Sequence, residues 1–191
     1  MKHNVTYYSQ FNDVSREEWK ARACSIVCLK MALDFFSSNT SDIDSLIDEG
    51  VLLKGWTPHG WTHDSLSLIA HNHGVTSYRE EFRSMHADPS TGTFSISPFT
   101  EKFLEYGIKK ISDTLTSGGL VIVSTYRNWN PQESFHTVLL IGLEKGEDGR
   151  ISGFYYHDPD TALEKREGVF ISLKDFLENW RKMALFIGKI D

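Results

Sequence analysis

The sequence predicts a single α+β domain in which one layer of helices packs on one antiparallel sheet. Helical periodicity dominates the first half of the 191-residue chain, short apolar strands dominate the second half, and no Pro- or Gly-rich linker separates the two. A chain of this length buries about 70% of the surface exposed on unfolding, so it needs no staple to hold a core. We therefore expect residues 1–191 to form one domain.

Four helices are predicted in the first half. The first is apolar nearly all round, which is typical of a helix buried at the centre of a domain. Ser41 is suited to the N-cap of the second helix and Gly74 to the C-cap of the third, and the fourth stops at Gly118-Gly119. The predicted helices span residues 23–36, 41–50, 62–73 and 98–116.

After the paired glycines the hydrophobic period becomes strand-like, and a charged turn at 144–150 separates two of the apolar segments. A charged stretch at 79–83 predicts a solvated segment. Residues 85–97 lack periodicity and predict a long surface loop that could cover a cleft. The predicted strands span residues 120–126, 135–143, 151–157, 169–172 and 184–190, with a helix at 173–182.

Composition and charge exclude several classes of protein. With 40% hydrophobic and 24% charged residues the chain is not disordered, and a net charge of −6 without a Lys/Arg stripe argues against nucleic-acid binding. No segment approaches the roughly 18 apolar residues of a membrane span, and the N-terminus lacks a signal-peptide core. Cys24 and Cys28 are too close for a disulfide that closes a useful loop, so we expect a reduced, cytoplasmic protein.

The two cysteines differ in position. Cys24 lies at the start of the first predicted helix, where backbone N–H groups and the helix dipole favour a thiolate. Cys28 lies one turn deeper among apolar residues, where burial would raise its pKa. Cys24 is therefore the candidate nucleophile and Cys28 a core residue. The alternative is that both are small buried hydrophobic residues.

A histidine and an aspartate flank the charged turn symmetrically. His136 begins one predicted strand, Asp158 closes the next, and Glu147 is midway between them. In a hairpin centred on Glu147 the two residues oppose each other directly, with Cβ atoms about 4.5–5.5 Å apart. The carboxylate would then orient the imidazole towards a thiol. The alternative is a strand-end histidine and an ordinary turn at Asp158-Pro159.

Three further groups of side chains are candidates for roles in the site. A side-chain amide at Gln10 could donate to an oxyanion beside the backbone N–H of Cys24. The histidines 59, 63, 71 and 73 lack zinc-like spacing, so we expect neither a metal nor a cofactor. Five aromatic residues either line a substrate groove or fill the core: Trp56, Trp61, Trp129, Tyr126 and Phe135.

The chain carries several recognisable motifs in order. Residues 5–10 are VTYYSQ and residues 23–33 are ACSIVCLKMAL. A Gly-rich turn before residue 120, a strand that begins at His136 and the pair Asp158-Pro159 follow. In this order, over nearly the whole chain, the sequence resembles the bacteriocin-processing (double-glycine leader) peptidase-like family of papain-like cysteine peptidases.

The resemblance implies a papain-like fold, with a buried N-terminal catalytic helix packed on an antiparallel sheet. Carried over residue by residue, it implies Cys24 as nucleophile, His136 as general base and acid, Asp158 as the residue that orients the imidazole, and Gln10 in the oxyanion hole. The implied activity is thiol-dependent hydrolysis of a peptide or amide bond through an acyl-enzyme, and the implied partner is a peptide or amide substrate.

Three positions depart from the family pattern. Ser25 and Phe135 occupy positions where the family usually has Gly, and Leu120-Val121 replaces a common Pro. Two alternatives therefore accompany the hydrolase hypothesis. One is an acyl or amide transferase that uses the same three residues, and the other is a catalytically silent peptide-binding protein.

Overall fold

The computed structural model describes residues 1–37, 41–161 and 166–189. Its helices are α1 (Glu17–Lys20), α2 (Cys24–Phe36), α3 (Ile43–Leu52), α4 (His63–Asn72), α5 (Thr100–Thr116) and α6 (Leu173–Asn179). Its strands are β1 (Trp56–Thr57), β2 (Gly60–Trp61), β3 (Val75–Glu81), β4 (Met85–Asp88), β5 (Thr93–Ile96), β6 (Leu120–Tyr126), β7 (Phe135–Lys145), β8 (Ile151–His157), β9 (Val169–Ser172) and β10 (Met183–Lys189). Within the described ranges no helix is long and apolar enough to cross a bilayer.

Six strands form one antiparallel sheet in the order β3-β10-β6-β7-β8-β9. The predicted mixture of helices and antiparallel strands is confirmed. Helix α2 packs against the centre of this sheet, and most of its residues are buried, as its apolar sequence predicts. The N-terminus of α2 therefore lies next to the strand that begins with Phe135 and His136.

Helices cover both faces of the sheet. Along β6, Leu120 and Ile122 belong to a core shared with α2, α3 and α4, whereas Val121 and Val123 belong to a second core shared with α5 and α6. The prediction of one helical layer is therefore wrong. A strand that is buried on both faces has apolar residues at successive positions instead of alternating apolar and polar ones. The unbroken apolar run at 120–123 has this pattern.

Helix α3 differs from its prediction at both ends. Asp42 rather than Ser41 is the N-cap, because its carboxylate accepts a hydrogen bond of 2.7 Å from a backbone N–H of the first turn. The helix also continues past Gly50 to Leu52. A Cβ atom at Gly50 would lie 2.5 Å from the ring of Trp61, so this glycine permits close packing instead of ending the helix.

Two segments for which no strand is predicted, the solvated charged stretch at 79–83 and the loop at 85–97, contain strands. The charged residues at 79–81 belong to β3, which pairs with β10 at the edge of the sheet. Residues 85–97 contain the β4–β5 hairpin, and none of them lines the cleft described below. These strands expose most of their side chains, so hydrophobic periodicity gave no sign of them.

The β7–β8 hairpin is displaced from the predicted register. Leu139 pairs with His157, which places Asp158 level with Val138 and two residues away from direct opposition to His136. Two bulges interrupt the ladder. The predicted direct opposition is therefore wrong. A displacement of two residues keeps side chains on the same face of a sheet, so the two residues remain diagonal neighbours.

Candidate active site

Cys24 is the first residue of α2 and is partly exposed, whereas Cys28 is fully buried. The N-cap residue is Ala23, whose side chain caps nothing, so the backbone N–H groups of the first turn remain directed at the cysteine end of the helix. The Cys28 thiol donates to the backbone carbonyl of Thr137 at 3.5 Å. One helical turn therefore separates a thiol on the surface of a cleft from a thiol within the core.

His136 and Asp158 form a buried pair. The distance from His136 Nε2 to Asp158 Oδ1 is 2.6 Å. Asp158 Oδ1 also accepts the backbone N–H of Asp160 at 3.0 Å, and Oδ2 accepts Arg166 Nη1 at 3.1 Å. The carboxylate is thus fixed from several sides. Because Nε2 is occupied by Asp158, Nδ1 is the nitrogen that remains for a thiol.

The titration behaviour of the cleft follows from this pairing. Burial alone would raise the pKa of the Cys24 thiol, but hydrogen bonding to His136 and the imidazolium charge outweigh it, and the pKa falls below its ordinary value. Burial alone would lower the pKa of His136, but hydrogen bonds to Asp158 and Cys24 raise it to about 10. Both shifts favour a thiolate–imidazolium pair at neutral pH.

Ser25 and Thr137 support the same contact between helix and strand. Their hydroxyl oxygens lie 2.9 Å apart and both side chains are buried. Burial is the largest influence on the Cys24 pKa and raises it, and His136 is the main group that lowers it. Hydrogen bonds from Thr137 and Ser25 lower this pKa further, by smaller amounts. Ser25 is therefore accommodated where the resembling family usually has Gly. No sequence pattern points to Thr137 beyond its place next to His136.

Phe135 does not fill the cleft. Its side chain is 55% exposed, and the guanidinium of Arg181 lies 3.5 Å from the centre of its ring. The ring of Tyr126 flanks it at 5.8 Å. His136 keeps its contact with Asp158, so the large side chain that precedes the histidine leaves the imidazole in place.

Gln10 lies beside the segment that follows Asp158. Its backbone N–H donates to the carbonyl of Pro159 at 2.9 Å, and its side-chain Nε2 donates to Asp160 Oδ1 at 3.3 Å. The side chain is buried, and its Oε1 has no hydrogen-bond partner among the described residues. Gln10 is not among the residues that line the cleft. Its oxyanion role stays a prediction.

Cys24 and His136 border a cleft of about 330 Å³. Of the five aromatic residues considered from the sequence, Trp56, Trp61 and Phe135 line this cleft. The other two lie elsewhere, because Trp129 packs against Tyr156 and Phe176 and Tyr126 packs beside Phe135. The charged or titratable side chains on its walls, besides Cys24 and His136, are Arg22, His59, His63, Arg127 and Arg181.

His63, one of the clustered histidines of the sequence, is a second histidine of the cleft. Its Nε2 lies 3.2 Å from the Ser124 hydroxyl. Burial, followed by the charges of Arg79 and Arg181, lowers its pKa to about 4. Of the other clustered histidines, His59 also lines the cleft, whereas His71 bonds to Ser77 and His73 to Glu49 outside it. Over the described ranges no three potential ligand side chains come together for a metal ion.

The comparisons with known proteins agree with this arrangement. The model of the Peptidase C39-like family matches residues 2–185. The chain belongs to the Peptidase C39-like family. This is a family of cysteine peptidases, and the resemblance noted from the sequence is confirmed. No curated protein sequence is detectably similar to this C39-like chain.

Solved structures share the fold at low sequence identity. A Bacillus anthracis protein assigned to the C39-like peptidases is 16% identical with a TM-score of 0.65, covering 98% of this chain and 96% of its own. The peptidase domain of Streptococcus ComA, a bi-functional ABC transporter of a quorum-sensing pathway, is 16% identical with a TM-score of 0.56, covering 89% and 93%. A double-glycine motif protease from an AMS/PCAT transporter, solved with its leader peptide, is 15% identical with a TM-score of 0.53, covering 98% and 94%. The predicted papain-like peptidase fold is confirmed.

Proposed function

We propose that this C39-like chain is an active cysteine peptidase in which Cys24 is the nucleophile, His136 the general base and acid, and Asp158 the residue that orients the imidazole. The observation that carries the proposal is the 2.6 Å contact between His136 and Asp158. The Cys24 thiol lies next to this pair, and hydrogen bonding to His136 lowers the pKa of the thiol although burial would raise it. A peptide substrate is supported by the family and by the leader peptide bound to a structural neighbour.

In the acylation step the Cys24 thiolate attacks the carbonyl carbon of the scissile bond. The negative charge moves to the carbonyl oxygen, where the backbone N–H of Cys24 and, as we propose, the Gln10 amide donate to it. The His136 imidazolium then gives its proton to the leaving amine as the C–N bond breaks. The products are a free amine and a thioester on Cys24.

In the deacylation step His136, now neutral, accepts a proton from water as the oxygen attacks the thioester carbonyl. Collapse of the second tetrahedral intermediate releases the carboxylic acid and restores the thiolate–imidazolium pair. Asp158 keeps one imidazole nitrogen occupied throughout, so the other nitrogen alternates between donating and accepting at Cys24.

The test is cleavage of a mixed peptide library by the purified chain, with new termini identified by mass spectrometry. We expect new termini with the wild-type protein and none with Cys24→Ala. An added amine acceptor separates the alternatives, because a transferase would yield amide-linked products in place of free carboxylates. Rapid alkylation of Cys24 without any cleavage would contradict the peptidase proposal and favour a peptide-binding protein.

A further inference from the structure

Apart from the Cys24 thiolate, the charged side chains on the described wall of the cleft are all cationic. Three arginines line it, Arg22, Arg127 and Arg181, and no aspartate or glutamate does so within the described ranges. The chain as a whole carries a net charge of −6, so this local excess of cations runs against its overall composition. The cleft is therefore an electropositive region on an acidic protein.

Two of these arginines have no carboxylate in ion-pairing contact among the described residues. Arg127 is paired with Asp160 at 2.8 Å. Arg22 and Arg181, by contrast, form no salt bridge with any described residue, and each lies instead over an aromatic ring of the cleft wall. Arg22 is 5.8 Å from the ring centre of Trp56, and Arg181 is 3.5 Å from that of Phe135.

At 3.5 Å the Arg181 guanidinium stacks on the Phe135 ring, which restricts its plane but leaves its N–H donors unused, whereas Arg22 at 5.8 Å makes a looser cation–π contact with Trp56. A guanidinium presents its donors in a planar fork that matches a carboxylate, and stacking restricts its rotamers before a ligand arrives. Arg181 is also partly buried, where a charge–charge contact is less screened than at an open surface. The two arginines are thus placed on the walls of the cleft that also holds Cys24 and His136.

We infer that this cleft selects substrates with an acidic side chain close to the scissile bond, and that Arg181 and Arg22 determine this specificity. The inference rests on the proposed function, because substrate selection requires that the chain cleave peptides. The electrostatic part stands on the cleft alone, and it can be tested without any cleavage.

The first experiment compares two alkylating reagents of nearly equal size, iodoacetate, which is anionic, and iodoacetamide, which is neutral. Both react with the same thiolate, so the ratio of their rates at Cys24 cancels thiol pKa and nucleophilicity. We expect Arg181→Gln and Arg22→Gln each to lower the iodoacetate-to-iodoacetamide ratio about threefold, the order expected of one charge in a partly solvated cleft. Raising the salt concentration should reduce the same ratio.

Arg150→Gln is the matched control, because Arg150 lies in the β7–β8 turn, is 89% exposed, and is not part of the cleft. Its ratio should equal that of the wild-type protein. An unchanged ratio in both Arg181→Gln and Arg22→Gln would overturn the inference. Arg22 is exposed, so its variant should fold even where substitution of the partly buried Arg181 does not.

The second experiment uses pairs of library peptides that differ only by Glu or Gln at one position near the cleavage site. We expect the Glu member to be cleaved with a kcat/KM at least about fivefold higher, and Arg181→Gln to remove the difference. Cleavage of both members at equal rates would overturn the inference while leaving the peptidase proposal intact. If the arginine variants lowered the iodoacetate-to-iodoacetamide ratio but no peptide were cleaved, the electrostatic inference would stand and the peptidase proposal would fail.

Discussion

Two histidines on the walls of one cleft have opposite charge states. His136 is nearly inaccessible to solvent, yet hydrogen bonding to Asp158 and Cys24 overcomes burial and raises its pKa to about 10. Among the described residues the His63 imidazole hydrogen-bonds to the Ser124 hydroxyl alone, and burial together with Arg79 and Arg181 lowers its pKa to about 4. The neighbours of an imidazole, more than its depth, decide whether it carries a proton in this cleft.

The largest expected effect follows from removing each histidine in turn. His136→Ala should lower kcat/KM by about 10²–10⁴, the usual contribution of a general acid–base group. His63→Gln should cost no more than about fivefold, the equivalent of one hydrogen bond. Both variants are to be compared on the most rapidly cleaved library peptide. Equal losses would show that the two histidines share the chemistry.

The second effect concerns the carboxylate that distinguishes the two histidines. Asp158→Asn should lower kcat by about 10², less than the roughly 10⁴ of the corresponding change in a serine peptidase, because a thiolate depends less on the orienting residue. The amide can favour the wrong imidazole tautomer while preserving the fold. Circular dichroism checks the fold, and wild-type kcat in a folded Asp158→Asn protein would contradict the role of the pair.

The third effect is the pH dependence of the thiol. Burial alone would raise the Cys24 pKa, but His136 lowers it, so alkylation by iodoacetamide should already be rapid at pH 6. The His136→Ala variant should shift the alkylation profile towards the ordinary thiol pKa of about 8.5. Peptide cleavage should fall again as the pH rises through about 10, where His136 loses its proton. A profile that ignores His136→Ala would mean that no ion pair forms in the resting protein.

The same comparison has a spectroscopic form. In an NMR titration the C2 proton of His63 should keep the shift of a neutral ring until the pH falls to about 4. That of His136 should keep the shift of a charged ring until the pH reaches about 10. Arg181→Gln removes one of the charges that depress the His63 pKa and should move that titration upward, with His136 in the same sample as the internal reference.

The smallest effect is expected at the second cysteine. Cys28→Ala removes a buried sulfur that is not near the surface of the cleft, so alkylation of Cys24 should keep its wild-type rate. The free energy of unfolding should fall by about 1 kcal/mol, which chemical denaturation would measure. Loss of Cys24 reactivity in a folded Cys28→Ala protein would show that the two thiols are coupled.

Local signals predicted most of the fold. The apolar helix, the strand at 120–126 and the helix expected at 62–73 depend on neighbours in sequence, and they occur at or within a residue of the expected places. The exposed β3 strand and the β4–β5 hairpin were missed because their side chains bury little. Gly50 was misread because its role is set by the ring of Trp61, and a sequence pattern does not show such a contact.

The candidate site was predictable to the extent that it depends on chain order. Helix position singled out Cys24, and symmetry about a turn singled out His136 with Asp158, although two bulges changed the geometry of their approach. Arg181 and His63 come from opposite halves of the sequence. They share the cleft because β10, which begins just after Arg181, pairs with β6, whose Ser124 contacts His63. The electropositive wall was therefore beyond what spacing could indicate.

The aromatic contacts behind the cleft have an optical consequence. Trp19, Trp56 and Trp61 touch one another with ring centres 5.4 to 5.5 Å apart, and Trp61 donates to the backbone carbonyl of Arg22, two residues before Cys24. Trp56 lies both in this cluster and on the cleft wall. Any occupant that displaces the guanidinium over Trp56 alters the surroundings of three coupled fluorophores at once. The protein thus contains its own reporter of occupancy beside the nucleophile, readable without a label.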